Sequence, residues 1–222
     1  KIMIICNIQG GLGNQMFQYA MGKSISLDLD QVVKFCTDSF TEYQTHNGFE
    51  LNRVFGIEPS LATPGELKRV LGAFRSSPLM RRALAKNALR VFRGSQYKVD
   101  LECGYDPSLM FSLGSDAYLH GYWQSEKYFS KYANQIREDF TFQDALDEKN
   151  TILISRIRDC NAVSIHVRRG DYVSNPKASS THGVCSLDYY EKSIKFIAGK
   201  VQAAQFFVFT DDAQWAKIGR AH

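Results

Sequence analysis

Residues His166 to Asp171 carry the strongest chemical signal in this sequence. They follow an alternating apolar run, residues 162–167, which predicts a strand that ends in a turn containing Gly170. Two adjacent arginines, Arg168 and Arg169, are costly to hold together unless an anion lies between them. The guanidinium group matches phosphate oxygens in bidentate fashion, and open α/β sheets bind ligands at the carboxyl ends of their strands. We therefore predict a phosphorylated ligand at this turn.

The residues beside the two arginines extend this prediction. Negative charge develops on a diphosphate as it departs. Arginines that are already in position stabilise this charge more effectively than groups that must first reorganise. We expect His166 to point away from its strand neighbours and to hydrogen-bond a base or a ribose. Asp171 either orients an arginine or acts as a general base. The alternative for the whole group is a structural cluster of salt bridges at a domain edge.

An aspartate pair, Asp211 and Asp212, follows a second apolar strand at residues 206–209. In a βαβ unit the two strands are neighbours, so both motifs would open onto one crevice. Paired aspartates favour either a divalent metal that bridges phosphates or hydrogen bonds to a nucleoside. Since two arginines already neutralise a diphosphate, we predict no metal. The alternative is a helix N-cap followed by an acidic residue in the first turn.

A glycine loop, residues 9–14, lies near the start of the chain. Gly11 and Gly13 resemble part of a dinucleotide fingerprint, but Met16 occupies the third glycine position. We predict that a phosphate or sugar approaches this backbone closely at the N-terminus of a helix, where Asn14 and Gln15 supply amide groups. The alternative is a tight strand-to-helix turn that binds no ligand.

The elements that position these loops are those of an α/β protein. Apolar runs at 2–8, 32–35, 117–123, 162–167 and 206–209 predict buried strands. Helices are expected after the glycine loop, from a cap at Ser125 to about Asp139, and at a capping box formed by Asp188 and Glu191. Each half of the chain then has the strand–loop–helix order of a Rossmann-like domain.

A polar stretch, residues 143–150, divides the chain into predicted domains 1–150 and 151–222. The second domain has room for only two strands and about two helices, which would leave apolar faces uncovered. We therefore expect an incomplete second domain, in a chain that is a fragment or has a divergent terminus.

The composition is that of a globular protein, with 44% hydrophobic and 23% charged residues. No apolar run reaches the roughly 18 residues of a membrane span, and no signal peptide pattern is present. The five cysteines are scattered and never paired as CxxC, which argues against a disulfide framework or zinc site. We predict a cytoplasmic protein.

Charge is concentrated in residues 64–93, here called the basic segment. This segment has a formal charge of +7 and the rest of the chain −3, with apolar residues at roughly helical spacing broken near Ser77 and Pro78. One interpretation is an amphipathic patch that rests on anionic lipid, peripheral to the inner membrane. The other is a solvated helical face. Nucleic acid is disfavoured, because the segment is short and lacks interleaved aromatic residues.

Four segments in order resemble the bacterial α-1,2-fucosyltransferase family: Gly10–Ala20, Gly121–Phe129, His166–Tyr172 and Phe207–Asp212. The resemblance implies two Rossmann-like domains in a GT-B-like arrangement and an inverting glycosyltransferase without metal or other cofactor. Such an enzyme transfers L-fucose from GDP-fucose in α-1,2 linkage to galactose. The acceptor would be a galactose-containing oligosaccharide or lipid-linked glycan, as in lipopolysaccharide or capsule biosynthesis.

The resemblance also implies roles for individual residues. Arg168 and Arg169 hold the diphosphate, and His166 lies near the guanosine. Asn14 and the glycine loop, with Gly11 and Gly13, face the sugar diphosphate, while the aspartate pair shapes the nucleotide pocket.

Two other functions stay open at this point. The family continues with another strand and a serine-rich aromatic motif that has no counterpart here, so one alternative is a non-catalytic remnant that binds nucleotide sugars. The other is a dinucleotide oxidoreductase, which the missing third glycine disfavours.

Overall fold

The computed structural model describes residues 1–42, 47–100, 104–170, 173 and 183–218. The chain divides into two compact units, Lys1–Asp144 and Ala145–His222, with the division inside the polar stretch 143–150. Both units are built of helices and parallel strands, which confirms the predicted α/β class. Asp171, the predicted base, lies outside the described residues.

The first unit contains a four-stranded parallel sheet in the order β2-β1-β4-β3. Its strands are β1 (Ile4–Asn7), β2 (Lys34–Cys36), β3 (Tyr97–Val99) and β4 (Ala117–His120). All four residues of β1 are buried, as expected for a central strand covered on both faces. The pattern predicted three of these strands and missed β3, which has only three residues.

The helices of the first unit are mostly short. They are α1 (Leu12–Leu29), α2 (Ser39–Glu42), α3 (Leu51–Phe55), α4 (Pro64–Arg75), α5 (Pro78–Leu84), α6 (Pro107–Phe111) and α7 (Ala133–Asp139). The 3-10 helices span Asn87–Phe92, Glu126–Tyr128 and Ser130–Tyr132.

The predicted helix from Ser125 to Asp139 is wrong in its first half. Ser125 makes no side-chain cap hydrogen bond, and two short 3-10 helices precede α7. Phe129 separates them with φ −139° and ψ 8°, which is outside the helical region. The apolar spacing therefore identified the buried face but not the break in the backbone.

Two apolar clusters form the core of this unit, one on each face of the sheet. Ile4 and Cys6 of β1 contribute to the first cluster and Ile5 to the second, because successive strand residues face opposite sides. Met21 of α1 packs in the first cluster, whereas Leu67 of α4 packs in the second. The result is a sheet covered by helices on both faces, with the carboxyl ends of its strands left for loops.

The basic segment forms α4, α5 and a 3-10 helix, with a break at Ser77 as predicted. The alternative of a solvated helical face does not hold for Arg81, and three other arginines of the segment also bond within the unit. Arg81 is 3% exposed and pairs with Asp38. The other three bond to Asp116 or to backbone carbonyls: Arg69, Arg75 and Arg93.

The environment of the His120 imidazole predicts that acid destabilises this unit. Burial, together with the positive charges of Arg81 and Arg93, lowers its pKa to about 4, and its Nδ1 has no hydrogen-bond partner. Between pH 6.5 and pH 4 the unfolded chain therefore binds a proton that the folded chain does not. We expect this residue to lower stability by on the order of 3 kcal/mol as the pH falls through that window.

Urea unfolding of the wild type and of His120→Gln at several pH values checks this expectation. The variant should lose the part of the acid dependence that His120 contributes, while other titrating groups affect both proteins equally. Identical pH slopes for the two proteins would contradict it.

The described part of the second unit contains one pair of parallel strands. Its elements are α8 (Glu148–Arg158), β5 (Ala162–Val167), α9 (Leu187–Ala198), β6 (Gln205–Thr210) and α10 (Ala213–Ile218). The register runs from Ala162 opposite Gln205 to Val167 opposite Thr210, so the two strands end side by side.

One helix prediction in this unit needs correction. The N-cap of α9 is Ser186, whose Oγ accepts the Tyr189 N–H at 3.2 Å, rather than a box at Asp188. The last described helix, α10, extends through Ile218, and no apolar spacing in the sequence predicted it. Apolar side chains of this unit are largely uncovered, with Phe196 61% and Phe209 44% exposed.

None of the helices that the structure describes combines the length and apolarity that a membrane span needs.

Candidate functional site

The arginine loop, Arg168–Gly170, and the aspartate pair lie next to each other in the second unit. Val167, the last residue of β5, pairs with Thr210, the last residue of β6. The arginine loop begins directly after Val167, and the aspartate pair begins directly after Thr210. The N–H of Val173 donates to the Arg169 carbonyl at 2.7 Å. The two segments with the strongest chemical signal thus meet at one edge of the sheet.

Asp211 fixes the backbone of the arginine loop. Its Oδ1 accepts the N–H of Arg169 at 2.8 Å, and this bond lowers the pKa of the Asp211 carboxyl, as does the Gly170 N–H. A side chain at Gly170 would place its Cβ 3.0 Å from Oδ2 of Asp211, closer than ordinary contact. In this structure Asp211 therefore holds the loop in shape.

Arg169 is anchored by two side chains that follow β6. Its guanidinium carbon lies 4.1 Å above the centre of the Trp215 ring, within the range of a cation–π contact. Its Nε is 3.5 Å from Oδ2 of Asp212, which is an ion pair without hydrogen-bond geometry. The Arg169 side chain is only 19% exposed, whereas Arg168 is an exposed residue.

Asp212 also begins α10. Its Oδ1 accepts the N–H of Trp215 at 3.0 Å, and its carbonyl accepts the N–H of Ala216 at 3.1 Å. The alternative is therefore correct in its N-cap, which is Asp212, but not in its first-turn acid, because Asp211 precedes the cap. The same Asp212 carboxylate pairs with Arg169. One acid thus starts the helix and fixes an arginine.

Sequence reasoning missed Trp215. A signal was present, because one of only two tryptophans in the chain lies three residues after Asp212. In a helix capped by Asp212, that position lies in the first turn. The Trp215 ring also contacts Tyr190 of α9 edge-on, with ring centres 6.0 Å apart.

His166 precedes the loop on β5 and is exposed. Its backbone carbonyl, rather than its imidazole, accepts the Tyr190 hydroxyl at 3.5 Å. A cavity of about 260 Å³ runs along β5 as far as His166 and is bounded on the other side by residues of α9 and by Cys185.

The glycine loop of the first unit differs in part from its prediction. Only Gly10 has a left-handed backbone, with φ +80°, and a Cβ there would lie 2.8 Å from Nδ2 of Asn14. Gly11 has φ −72° and ψ 172°, which any residue can adopt, and Gly13 lies within α1 beside open space. Backbone conformation therefore requires a glycine at Gly10 but not at Gly11 or Gly13.

Gln15 is fully buried and holds the glycine loop. Its Nε2 donates to the carbonyls of Gly10 and Gly48, both at 2.9 Å, and its Oε1 accepts the N–H of Glu50 at 2.9 Å. Both of its donor hydrogens thus bond to backbone. We interpret Gln15 as the tether of the loop rather than as a residue that a ligand touches.

Gln18, which sequence reasoning did not select, has a similar role. It is also fully buried; its Oε1 accepts the Gln9 N–H and its Nε2 donates to the Gly121 carbonyl, each at 2.9 Å. The loop after β1 is therefore tied through α1 to the loop after β4. The sequence signal for these buried tethers was the pair of glutamines, Gln15 and Gln18, about one helical turn apart in α1.

Asn14 lies at the accessible mouth of this loop. Its Oδ1 accepts the exposed Gln124 amide at 2.7 Å, and the Tyr122 ring lies beside Gly10. These groups form a polar surface at the carboxyl ends of β1 and β4, where α/β sheets bind ligands.

Within residues 1–42, 47–100, 104–170, 173 and 183–218, no three histidine, cysteine or acidic side chains gather as metal ligands would. The carboxylates of the aspartate pair serve the arginine loop and the start of α10 instead.

Comparison with known proteins identifies relatives along nearly the whole chain. The sequence profile of Glycosyl transferase family 11 matches residues 3–219. An alpha-1,2-colitosyltransferase from Escherichia coli is 33% identical, over 97% of this chain and 71% of the relative. The O-antigen biosynthesis glycosyltransferase WbnK, also from Escherichia coli, is 32% identical over 95% and 73%.

A solved structure shares the fold. The crystal structure of NodZ alpha-1,6-fucosyltransferase, soaked with GDP-fucose, superposes with a TM-score of 0.51 over 96% of this chain and 72% of that one. At 13% sequence identity, the likeness concerns the fold alone.

Proposed function

Since the chain belongs to glycosyl transferase family 11, we propose that it transfers L-fucose from GDP-fucose to a galactose residue in α-1,2 linkage. The anchored arginine at the end of β5 carries the proposal. Arg169 is held by Trp215 and Asp212 before any ligand binds, and Arg168 is exposed beside it. A cation fixed in this way stabilises a leaving diphosphate without reorganising during the reaction.

The reaction requires two bond changes at the fucose C1 carbon. The bond to the diphosphate oxygen breaks as the acceptor oxygen attacks from the opposite face, which inverts the configuration. Arg168 and Arg169 stabilise the negative charge that develops on the diphosphate. Asp171 either accepts the proton of the acceptor hydroxyl or orients one of the arginines. No metal or other cofactor is needed when two guanidinium groups neutralise the leaving group.

We assign the two units to the two halves of a GT-B-like enzyme. The second unit binds GDP-fucose, with the diphosphate at the arginine loop and the guanosine beside His166, near the cavity along β5. The first unit is the acceptor side and contributes Asn14 and the glycine loop, whose backbone is fixed by Gln15. Both units present these loops at the carboxyl ends of parallel strands.

The biological role that fits best is the addition of a sugar to a surface glycan. One relative is a glycosyltransferase of O-antigen biosynthesis, and another transfers colitose with α-1,2 specificity. We therefore propose an O-antigen or related glycan as the acceptor, presented as an oligosaccharide or on a lipid carrier.

The identity of the donor sugar has to be decided between L-fucose and colitose, which differ only in that colitose lacks the hydroxyl at C3. A site that hydrogen-bonds this hydroxyl discriminates strongly against the deoxy sugar, whereas an apolar site does not. We expect the GDP derivative of L-fucose to be used with a kcat/KM at least about tenfold above that of GDP-colitose. Competition of the two donors for one galactoside, read by mass spectrometry, measures the ratio; a preference for colitose would reassign the donor.

A second candidate is a protein that binds the nucleotide sugar without turning it over. Calorimetric titration with GDP and GDP-fucose, run beside a transfer assay, separates the two: turnover supports the enzyme, and binding alone supports the remnant. The dinucleotide oxidoreductase alternative is not supported, since the family match covers residues 3–219.

A further inference from the structure

The basic segment exposes several large apolar side chains that its helices do not bury. Phe74 at the end of α4 is 71% exposed and Leu79 at the start of α5 is 74% exposed. Val91 and Phe92 of the following 3-10 helix are 77% and 59% exposed. Single exposed apolar residues are ordinary, but four within about 20 residues of sequence concentrate exposed apolar surface in the basic segment.

Hydrogen bonds bring the helix ends that carry these residues to one region of the first unit. Nε of Arg75, the neighbour of Phe74, donates to the carbonyl of Phe92 at 2.7 Å. The end of α4 and the end of the 3-10 helix therefore adjoin. The Oγ of Ser77 accepts the N–H of Met80 at 3.4 Å, so Ser77 caps α5 immediately after α4 ends.

A break in α4 explains why Phe74 is exposed. Leu67, Val70 and Leu71 form the buried stripe of this helix, and a continuous helix would place residue 74 on the same face. Gly72 has φ 77° and ψ 163°, which is not helical, and it redirects the last turn. The exposed aromatic ring is thus a product of the local backbone.

Positively charged residues alternate in sequence with the exposed apolar residues. In α5, Arg81 and Leu84 are buried, so the opposite face presents Leu79 and, three residues on, Arg82. Lys86 and Arg90 follow and are exposed. The segment has a single acidic residue, Glu66, which caps α4 and lies 3.6 Å from Lys34.

We propose that this surface, formed by Phe74, Leu79, Val91, Phe92 and the cations Lys86 and Arg90, docks on an anionic lipid bilayer. The apolar side chains enter the boundary between head groups and acyl chains, and the cations pair with lipid phosphates. A second copy of the chain fits less well, since a symmetric contact would oppose like charges. The docking does not depend on which sugar the protein transfers.

Vesicle co-sedimentation tests the proposal with the whole chain. We expect binding to vesicles of phosphatidylglycerol and phosphatidylcholine, and much weaker binding to phosphatidylcholine alone. Phe74→Ser/Phe92→Ser should lower the partition coefficient at least about tenfold. Lys86→Glu/Arg90→Glu should lower it to a similar extent and remove the preference for anionic lipid.

Matched variants control for composition and charge. Phe111→Ser changes an aromatic residue that is 90% exposed but lies outside the basic segment. Lys149→Glu/Lys195→Glu changes the net charge equally at exposed positions of the second unit. Both controls should bind as the wild type does, and thermal melting should show that every variant is folded.

Three results would overturn the proposal. The first is no binding of the wild type to anionic vesicles, and the second is an equal loss in the control variants. The third is that the wild type self-associates or binds an oligonucleotide, and that the Phe74→Ser/Phe92→Ser change abolishes this association but leaves vesicle binding intact.

Discussion

Replacement of Arg169 with alanine is expected to lower kcat for fucosyl transfer by about 10²- to 10³-fold. The guanidinium is held over Trp215 and beside Asp212, where the developing charge of the diphosphate would lie. Removal of a charge-stabilising donor affects the transition state more than the ground state, so kcat should fall more than KM rises. Initial rates at saturating GDP-fucose measure the effect.

Two further substitutions make this result specific. Arg169→Lys keeps the charge but loses the planar fork and much of the stacking on Trp215, so we expect a smaller but clear loss. Arg158→Ala removes an exposed arginine of α8 in the same unit and should leave the rate unchanged. Near-normal turnover of a folded Arg169→Ala protein would show that this residue does not stabilise the leaving group.

Gln15→Leu is expected to have the largest effect on stability. The substitution keeps a side chain of similar size but removes three hydrogen bonds from a fully buried amide. The buried N–H of Glu50 and the part-buried carbonyls of Gly10 and Gly48 would lose this partner. A buried group left unpaired costs about 1 to 3 kcal/mol, and a group that water can reach costs less. We expect the free energy of unfolding to fall by about 3 to 5 kcal/mol.

Urea unfolding measures this change, with Gln124→Leu as the control. Gln124 also donates an amide hydrogen bond at the same end of the sheet, but it is exposed, so we expect a change within about 0.5 kcal/mol. Equal losses in the two variants would contradict the role of Gln15 as a buried tether.

The main elements around the candidate site could be predicted because their signals are local. Strand β5 was predicted with its observed bounds from strict alternation, and β6 within one residue at each end from a continuous apolar run. The parallel pairing of these strands, which places Arg168 beside Asp211, follows from the strand–helix–strand order.

Other features depend on contacts that local patterns do not encode. The cap of α9 is Ser186 rather than Asp188, because the chain enters the helix two residues earlier than the acidic pattern indicates. The stacking of Arg169 on Trp215 and the three bonds of Gln15 join residues whose proximity only the folded chain creates. Arg81 shows the same limit: its sequence neighbours predict a surface cation, yet it is buried against Asp38.

Calorimetric titration of the chain with GDP and with guanosine tests the central claim most directly. If the arginine loop binds a diphosphate, GDP should bind at least about 100-fold more tightly than guanosine. The Arg169→Ala substitution should remove most of this difference in affinity. Equal affinities for the two ligands, or a preference for GDP that the Arg169→Ala protein fully retains, would contradict the assignment of this loop as the diphosphate site.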